Sequence, residues 1–182
     1  MKPIGLLMVE HRLIERAVEQ IRASAKECKQ NNVCFTDLGQ LIDFLSSYAD
    51  LCHHGKEEKI LFVECEGKHL PADLKNLMHE LIHEHVAFRK MRERMVVFNQ
   101  EMACGRTVNL EKLDELIEVF CSRLQEHIKK EDTLFFPQAM KYFNADEQSQ
   151  MLDKFRNFDQ GVMHEKYRLL ISELEEKSGE VK

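Results

Sequence analysis

The sequence predicts an all-α protein: an up-down four-helix bundle with an additional fifth C-terminal helix. Three observations carry this. Four long segments place apolar residues in alternating steps of three and four, the spacing of one buried helical stripe. Breakers are sparse, with 7 Gly and 3 Pro in 182 residues, so each segment can run for many turns. The punctuation is short: Gln30-Asn31-Asn32, Glu66-Gly67-Lys68-His69-Leu70-Pro71, Cys104-Gly105-Arg106 and Phe143-Asn144-Ala145. Connections of this length favour antiparallel neighbours. A chain of 182 residues is most simply one domain, 1–182, with the bundle at about 1–143 and the extra helix at about 145–177.

In the first segment Ile4, Leu7, His11, Ile14, Val18, Ile21 and Ala25 form the buried stripe. In the second, with Thr36 as the expected N-cap, it runs Ile42, Leu45, Ala49, His53, Glu57, Leu61. The third opens with Pro71 at its first helical position and carries Leu74, Met78, Leu81, His85, Phe88 and Met95. The fourth follows an Asn109 cap with Leu113, Ile117, Phe120, Leu124, His127, Glu131 and Leu134. Asn144 and Glu147 have the spacing of a capping box for the fifth, whose stripe is Phe155, Phe158, Val162 and Leu169. That last stripe suits packing over the bundle, or an interface in a homodimer.

Composition excludes several functions. A formal charge of -6 with no Lys/Arg cluster among aromatics argues against nucleic acid. No basic amphipathic stretch suits a membrane surface, and no segment approaches a membrane span. The apolar run Ile4 to Val9 is too short for a signal core and meets Glu10-His11-Arg12 directly. The 6 cysteines form no CxxC pair, so reduced, buried thiols and a cytoplasmic location are the expectation. Nucleophile elbows and phosphate-cradling Gly-rich loops are absent, which leaves hydrolase and nucleotide-dependent chemistry without support.

The chemistry resides in the polar residues on the stripes. Residues four apart on a helix are displaced about 6 Å along the axis and about 40° around it, so HxxxE is a natural chelating pair. Alone it is weak, since five of the 9 histidines have an acid four residues later. Position on a buried stripe separates His53/Glu57 and His127/Glu131 from the rest. The bland reading of each is a buried hydrogen-bonded pair, and of His11 and His85 a satisfied core histidine. An internal repeat argues for more. His53-x-x-x-Glu57-Glu58 superimposes on His127-x-x-x-Glu131-Asp132, and Glu10-His11 echoes Glu84-His85. Such symmetry suits two metal ions bridged by two carboxylates, whose buried charge a dication pair would offset. Imidazole and carboxylate suit iron, manganese or zinc, and the stripes carry no thiolate. His54 and Glu58 lie about 100° further round the second helix and are expected toward a flank. His54, His79, His83 and His164 are expected at the surface or behind a ligating imidazole, and His69 in a solvated loop.

Four motifs in order, Glu10-His11, His53-His54-Gly55-Lys56-Glu57-Glu58 with Leu61-Phe62, Glu84-His85, and His127-Ile128-Lys129-Lys130-Glu131-Asp132 with Phe136-Pro137, resemble the hemerythrin family in its bacterial HHE branch. The resemblance covers about residues 5–140. It implies two iron ions in a four-helix bundle, bridged by two carboxylates and an oxo or hydroxo group, with manganese or zinc as alternatives. Carried over residue by residue, His11, His53, His85 and His127 are terminal ligands, and Glu57 and Glu131 bridges. Two departures stand out. Oxygen carriers of the family place a second histidine four residues before the one on the third helix, where this chain has Leu81. They also use an Asp five after the fourth-helix histidine, which would select Asp132; the stripe and the repeat favour Glu131. The resemblance implies a di-iron protein that binds or reacts with O2 or NO as sensor, scavenger or iron-handling factor. The alternatives are a di-iron oxidoreductase acting on peroxide or NO, and a structural or zinc-binding helical module.

Overall fold

The structure is a computed structural model and describes residues 2–31, 35–159 and 161–180. Among these it is helical with no strand, a four-helix bundle with extra helical chain at the C-terminus. Helix α1 is Pro3–Asn31. Helix α2 is a rod over 35–66, α-helical at its ends and π-helical over Leu45–His54 and Glu57–Leu61. Helix α3 is Ala72–Ala103. Helix α4 spans 110–142, with a π-helical turn at Glu131–Phe135 and a closing 3-10 turn at Met140–Tyr142. Two more follow, α5 (Ala145–Phe158) and α6 (Gly161–Glu180). Helix α1 packs on α2 and α4, and α3 packs on the same two, the closed ring of an up-down bundle. Helices α5 and α6 lie across α1 and α2.

Local signals explain most of the boundaries. The Asn109 side chain accepts from the Lys112 amide (3.0 Å), and Asn144 with Glu147 forms the expected capping box. At the end of α3, Gly105 adopts φ +71° while the amides of Gly105 and Arg106 reach back to Met102 and Glu101, a left-handed closure that suits glycine. Two expectations shift. Pro71 sits one residue outside α3 with extended ψ, its carbonyl accepting from Lys75. Thr36 lies inside α2, which already includes Phe35, and so does not cap it.

The expected single fifth helix is two. The backbone turns extended at Asp159 (φ -70°, ψ 129°), just beyond Phe158, and the phase of the stripe resets there. Leu169 consequently lies 52% exposed, whereas Tyr167, Ile171 and Leu174 are buried. The side chain of Val162 lies outside the described residues. Leu134, expected on the α4 stripe, is also exposed, at 48%, because the π-turn at Glu131–Phe135 moves the register and turns Phe135 inward. Four cysteines, Cys52, Cys65, Cys104 and Cys121, are free thiols, whereas Cys28 is disulfide-bonded, against the expectation of reduced cysteines throughout; Cys34 lies outside the described residues. No helix among the described residues is long and apolar enough to cross a membrane.

The buried apolar residues fall into two clusters. One holds Ile14, Val18, Ala49, Phe88, Phe120 and Leu124 with Tyr167 and Ile171; the other holds Leu7, Leu61, Phe62, Leu81, Phe135 and Phe136 with Phe155. On every bundle helix the inward polar residues lie in sequence between members of the two clusters. A polar layer therefore crosses the bundle, with hydrocarbon on both sides.

Candidate metal centre

The layer is built from five imidazoles and two carboxylates. His11, His53, Glu57, His85, His127 and Glu131 are all buried, and the structure brings them together; His54, expected at a flank, is buried among them. Within this layer two groups have ligand atoms close enough to hold a metal ion, His11 with His53, Glu57 and Glu131, and His54 with His85 and His127. The carboxylates join the groups. Glu131 places Oε2 3.2 Å from Nε2 of His11 and Oε1 3.2 Å from Nε2 of His127. Glu57 places Oε1 3.4 Å from Nε2 of His53 and Oε2 3.5 Å from Nε2 of His85. The Nε2 atoms of His85 and His127 are 3.0 Å apart.

Around this centre, a carboxylate holds Nδ1 of four of the five rings. His11 donates to Asp132 (2.7 Å), His53 to Glu10 (2.8 Å), His85 to Glu58 (2.8 Å) and His127 to Glu84 (2.7 Å). These bonds fix the ring orientations and leave each Nε2 facing the centre. They also extend the internal repeat by one shell. The acid before each single histidine (Glu10, Glu84) serves the paired histidine of a neighbouring helix, and the acid after each inward glutamate (Glu58, Asp132) serves the single histidine. Nδ1 of His54 lacks such a partner, with Asp50 at 3.7 Å. Its ring stacks instead on that of His85, centroids 3.9 Å apart.

The inward turn of His54 has a local cause. Over Leu45–His54 the backbone bonds i to i+5, each turn takes in more residues, and consecutive side chains diverge by less than in an α-helix. His53 and His54 can thus both face the centre. The adjacent histidines and the apolar Leu81 on α3 were the available sequence signals: a site short of one imidazole on the third helix can take it from the second. His79 and His83 are exposed outside the centre, one paired with Glu66 and the other bonded to the His79 carbonyl. His69 is also exposed. His164 is half-buried beside Asp159 and Tyr48.

Electrostatics single out the same place. Both oxygens of Glu57 and of Glu131, and Nε2 of His11, are buried with no hydrogen-bond partner. Burial, reinforced by the Glu131 charge, pushes the Glu57 carboxyl well above its ordinary range. Burial acts the same way on Glu131, but His127 and His11 overcome it and hold that carboxyl ionised. Two apposed carboxylates in a dry interior cannot both keep a charge without a cation. Burial drives the His54 imidazole down to about 3 and also lowers His53 and His85, so these rings stand neutral. His127 is pushed up to about 9, since Glu131 and Glu84 outweigh the burial that opposes its charge. Orphaned acceptors, neutral imidazoles and two carboxylates that each face both groups are a donor set suited to metal cations.

The sequence matches the family model of the hemerythrin HHE cation binding domain over residues 2–139. The chain belongs to the hemerythrin HHE cation-binding family. Cation binding is accordingly what its buried His/Glu layer is suited to. No curated protein and no solved structure matches the chain. The hemerythrin match ends before α5 and α6, so the two C-terminal helices are additions to the family domain.

Proposed function

We propose that this hemerythrin-family chain is a non-haem di-iron protein that binds or reacts with a small oxidant, O2 or NO, as sensor, scavenger or iron-handling factor. His11 and His53 would hold one iron as terminal ligands and His85 and His127, joined by His54, the other, while Glu57 and Glu131, which face both groups, would serve as the bridging carboxylates. One observation carries the reading: each buried carboxylate directs one oxygen to each imidazole group and has no other partner. A bound iron pair supplies one-electron chemistry at each ion and a coordination position for a diatomic. The His11/His53 group offers two imidazoles where the other offers three, so an iron held there would have fewer protein donors and more room for a diatomic. There the Phe136 ring lies parallel to His11, centroids 5.7 Å apart, and keeps that wall apolar. Nδ1 carboxylates raise the basicity of four rings and keep them aimed as the charge on the metals changes.

The test is metal analysis with an optical spectrum of the reduced protein before and after O2 or NO. Two irons per chain and a stoichiometric spectral change support the reading. Zinc in place of iron, or a spectrum indifferent to both gases, overturns it. A saturable rate with peroxide or NO and an added reductant would make the chain an oxidoreductase instead.

A further inference from the structure

The near-twofold symmetry of the centre is broken at one point. On the His127 half, Lys130 bonds Glu84 and Glu80 at the protein surface, 26% exposed. On the His53 half the equivalent Lys56 bonds Glu10 but is wholly buried, and its second partner is Asp159, at the corner between α5 and α6. Asp159 also pairs with His164 (3.3 Å) and accepts from the Cys52 thiol (3.3 Å). Cys52, Asp159 and His164 lie close enough to hold a cation, and the Lys56 ammonium stands there, 3.8 Å from the Cys52 sulfur. Beside them the Phe158 ring rests on Gly55 so closely that a Cβ there would lie 3.0 Å from it. A chain of buried charged contacts thus runs from the added helices through Lys56 and Glu10 to Nδ1 of His53.

We propose that Asp159, acting through Lys56 and Glu10, is a positioning residue for His53, so that the α5–α6 corner sets the His11/His53 half of the centre apart from the other half. The inference rests on the di-metal reading above. A buried ammonium is stable only while its carboxylates stay in place, and its contacts, unscreened by water, hold geometry more firmly than the exposed Lys130 set. Movement of His53 therefore disturbs the corner, and release of the corner frees His53.

The experiment uses the full chain loaded anaerobically with isotopically enriched iron. It compares the Mössbauer spectrum and the rate of iron release to a chelator for wild type, Asp159→Asn, Asp159→Glu and Lys130→Met. Asp159→Asn should shift one of two iron signals and speed release of one iron by roughly tenfold or more, the scale of losing a partner behind a ligand. Asp159→Glu should restore much of both, and Lys130→Met should leave the signal moved by Asp159→Asn unchanged. Phe158→Ala, which opens the corner without removing a charge, should move the same signal less far. Hydrogen exchange at residues 155–159 should slow on iron loading in wild type more than in Asp159→Asn. Unchanged or equally changed iron signals in both Asp159→Asn and Phe158→Ala would overturn the inference while leaving two irons bound. A wild type that takes up no iron would instead overturn the di-metal reading, and this inference with it.

Discussion

Unpartnered and orienting carboxylates sit side by side in this sequence, and their surroundings tell them apart. Glu57 and Glu131 are fully buried with unpartnered oxygens, whereas Glu58 and Asp132 reach solvent and accept from Nδ1 of His85 and His11. Glu57→Ala or Glu131→Ala should therefore abolish iron binding, while Glu58→Ala or Asp132→Ala should retain iron with about 10–100-fold lower affinity. Iron titration of purified variants measures this, and iron lost only from the second pair would exchange the roles. Glu57→Ala carries an opposite effect in the metal-free protein. Deleting one of two apposed buried carboxylates removes a desolvation cost of a few kcal/mol, so the metal-free variant should melt higher than metal-free wild type. For the fifth imidazole the expectation is that His54→Ala lowers iron content toward one ion per chain, while exposed His79→Ala leaves it unchanged. An equal content in both variants would remove His54 from the ligand set.

At the scale of the helices, what was legible followed from periodicity, and what was not followed from its local failure. The stripes of α1 and α3, apart from the half-buried Ile4, are buried as their spacing requires, because a regular helix converts sequence distance into angle. The α2 stripe is buried too, although much of it is π-helical. Leu134 turns outward and His54 inward, against their α-helical phase, because π-turns change that conversion without leaving a breaker in the sequence. The corner at Asp159 was invisible for another reason: its Asp and the preceding Phe are defined by contacts with Lys56 and Gly55, more than a hundred residues away. Gly55 makes room for the added helices. In the middle of a helix it costs about 1 kcal/mol relative to Ala, and the place its side chain would fill is taken by Phe158. Gly55→Ala should consequently lower stability in the wild-type background, yet raise it by up to about 1 kcal/mol when Phe158→Ala has removed the ring. Urea unfolding of the four proteins of this cycle provides the check, and the same sign in both backgrounds would refute the contact as the reason for glycine.

Across the whole molecule, the polar layer divides the apolar core, and the fold is consistent with itself only when that layer is electrically satisfied. Without metal, the layer resolves its conflict with protons: Glu57 keeps one and His127 holds one up to about 9, with His11 also raised through Asp132 and Glu131 against the burial that opposes it. An imidazole whose pKa is raised on folding stabilises the metal-free chain fully below its ordinary 6.5 and loses that contribution as pH climbs toward about 9. Metal binding requires the same groups to give up their protons, so affinity rises over the same interval. Metal-free stability should therefore fall and metal-bound stabilisation should grow between pH 6.5 and about 9, which widens the gap in melting temperature between the two forms. Thermal unfolding of iron-loaded and metal-free protein under anaerobic conditions, at fixed free iron through this range, tests the claim. His127→Gln, which carries no titrating ring, should flatten most of the widening, and a gap that narrows with pH in the wild type would contradict the proton-for-metal exchange on which the layer depends.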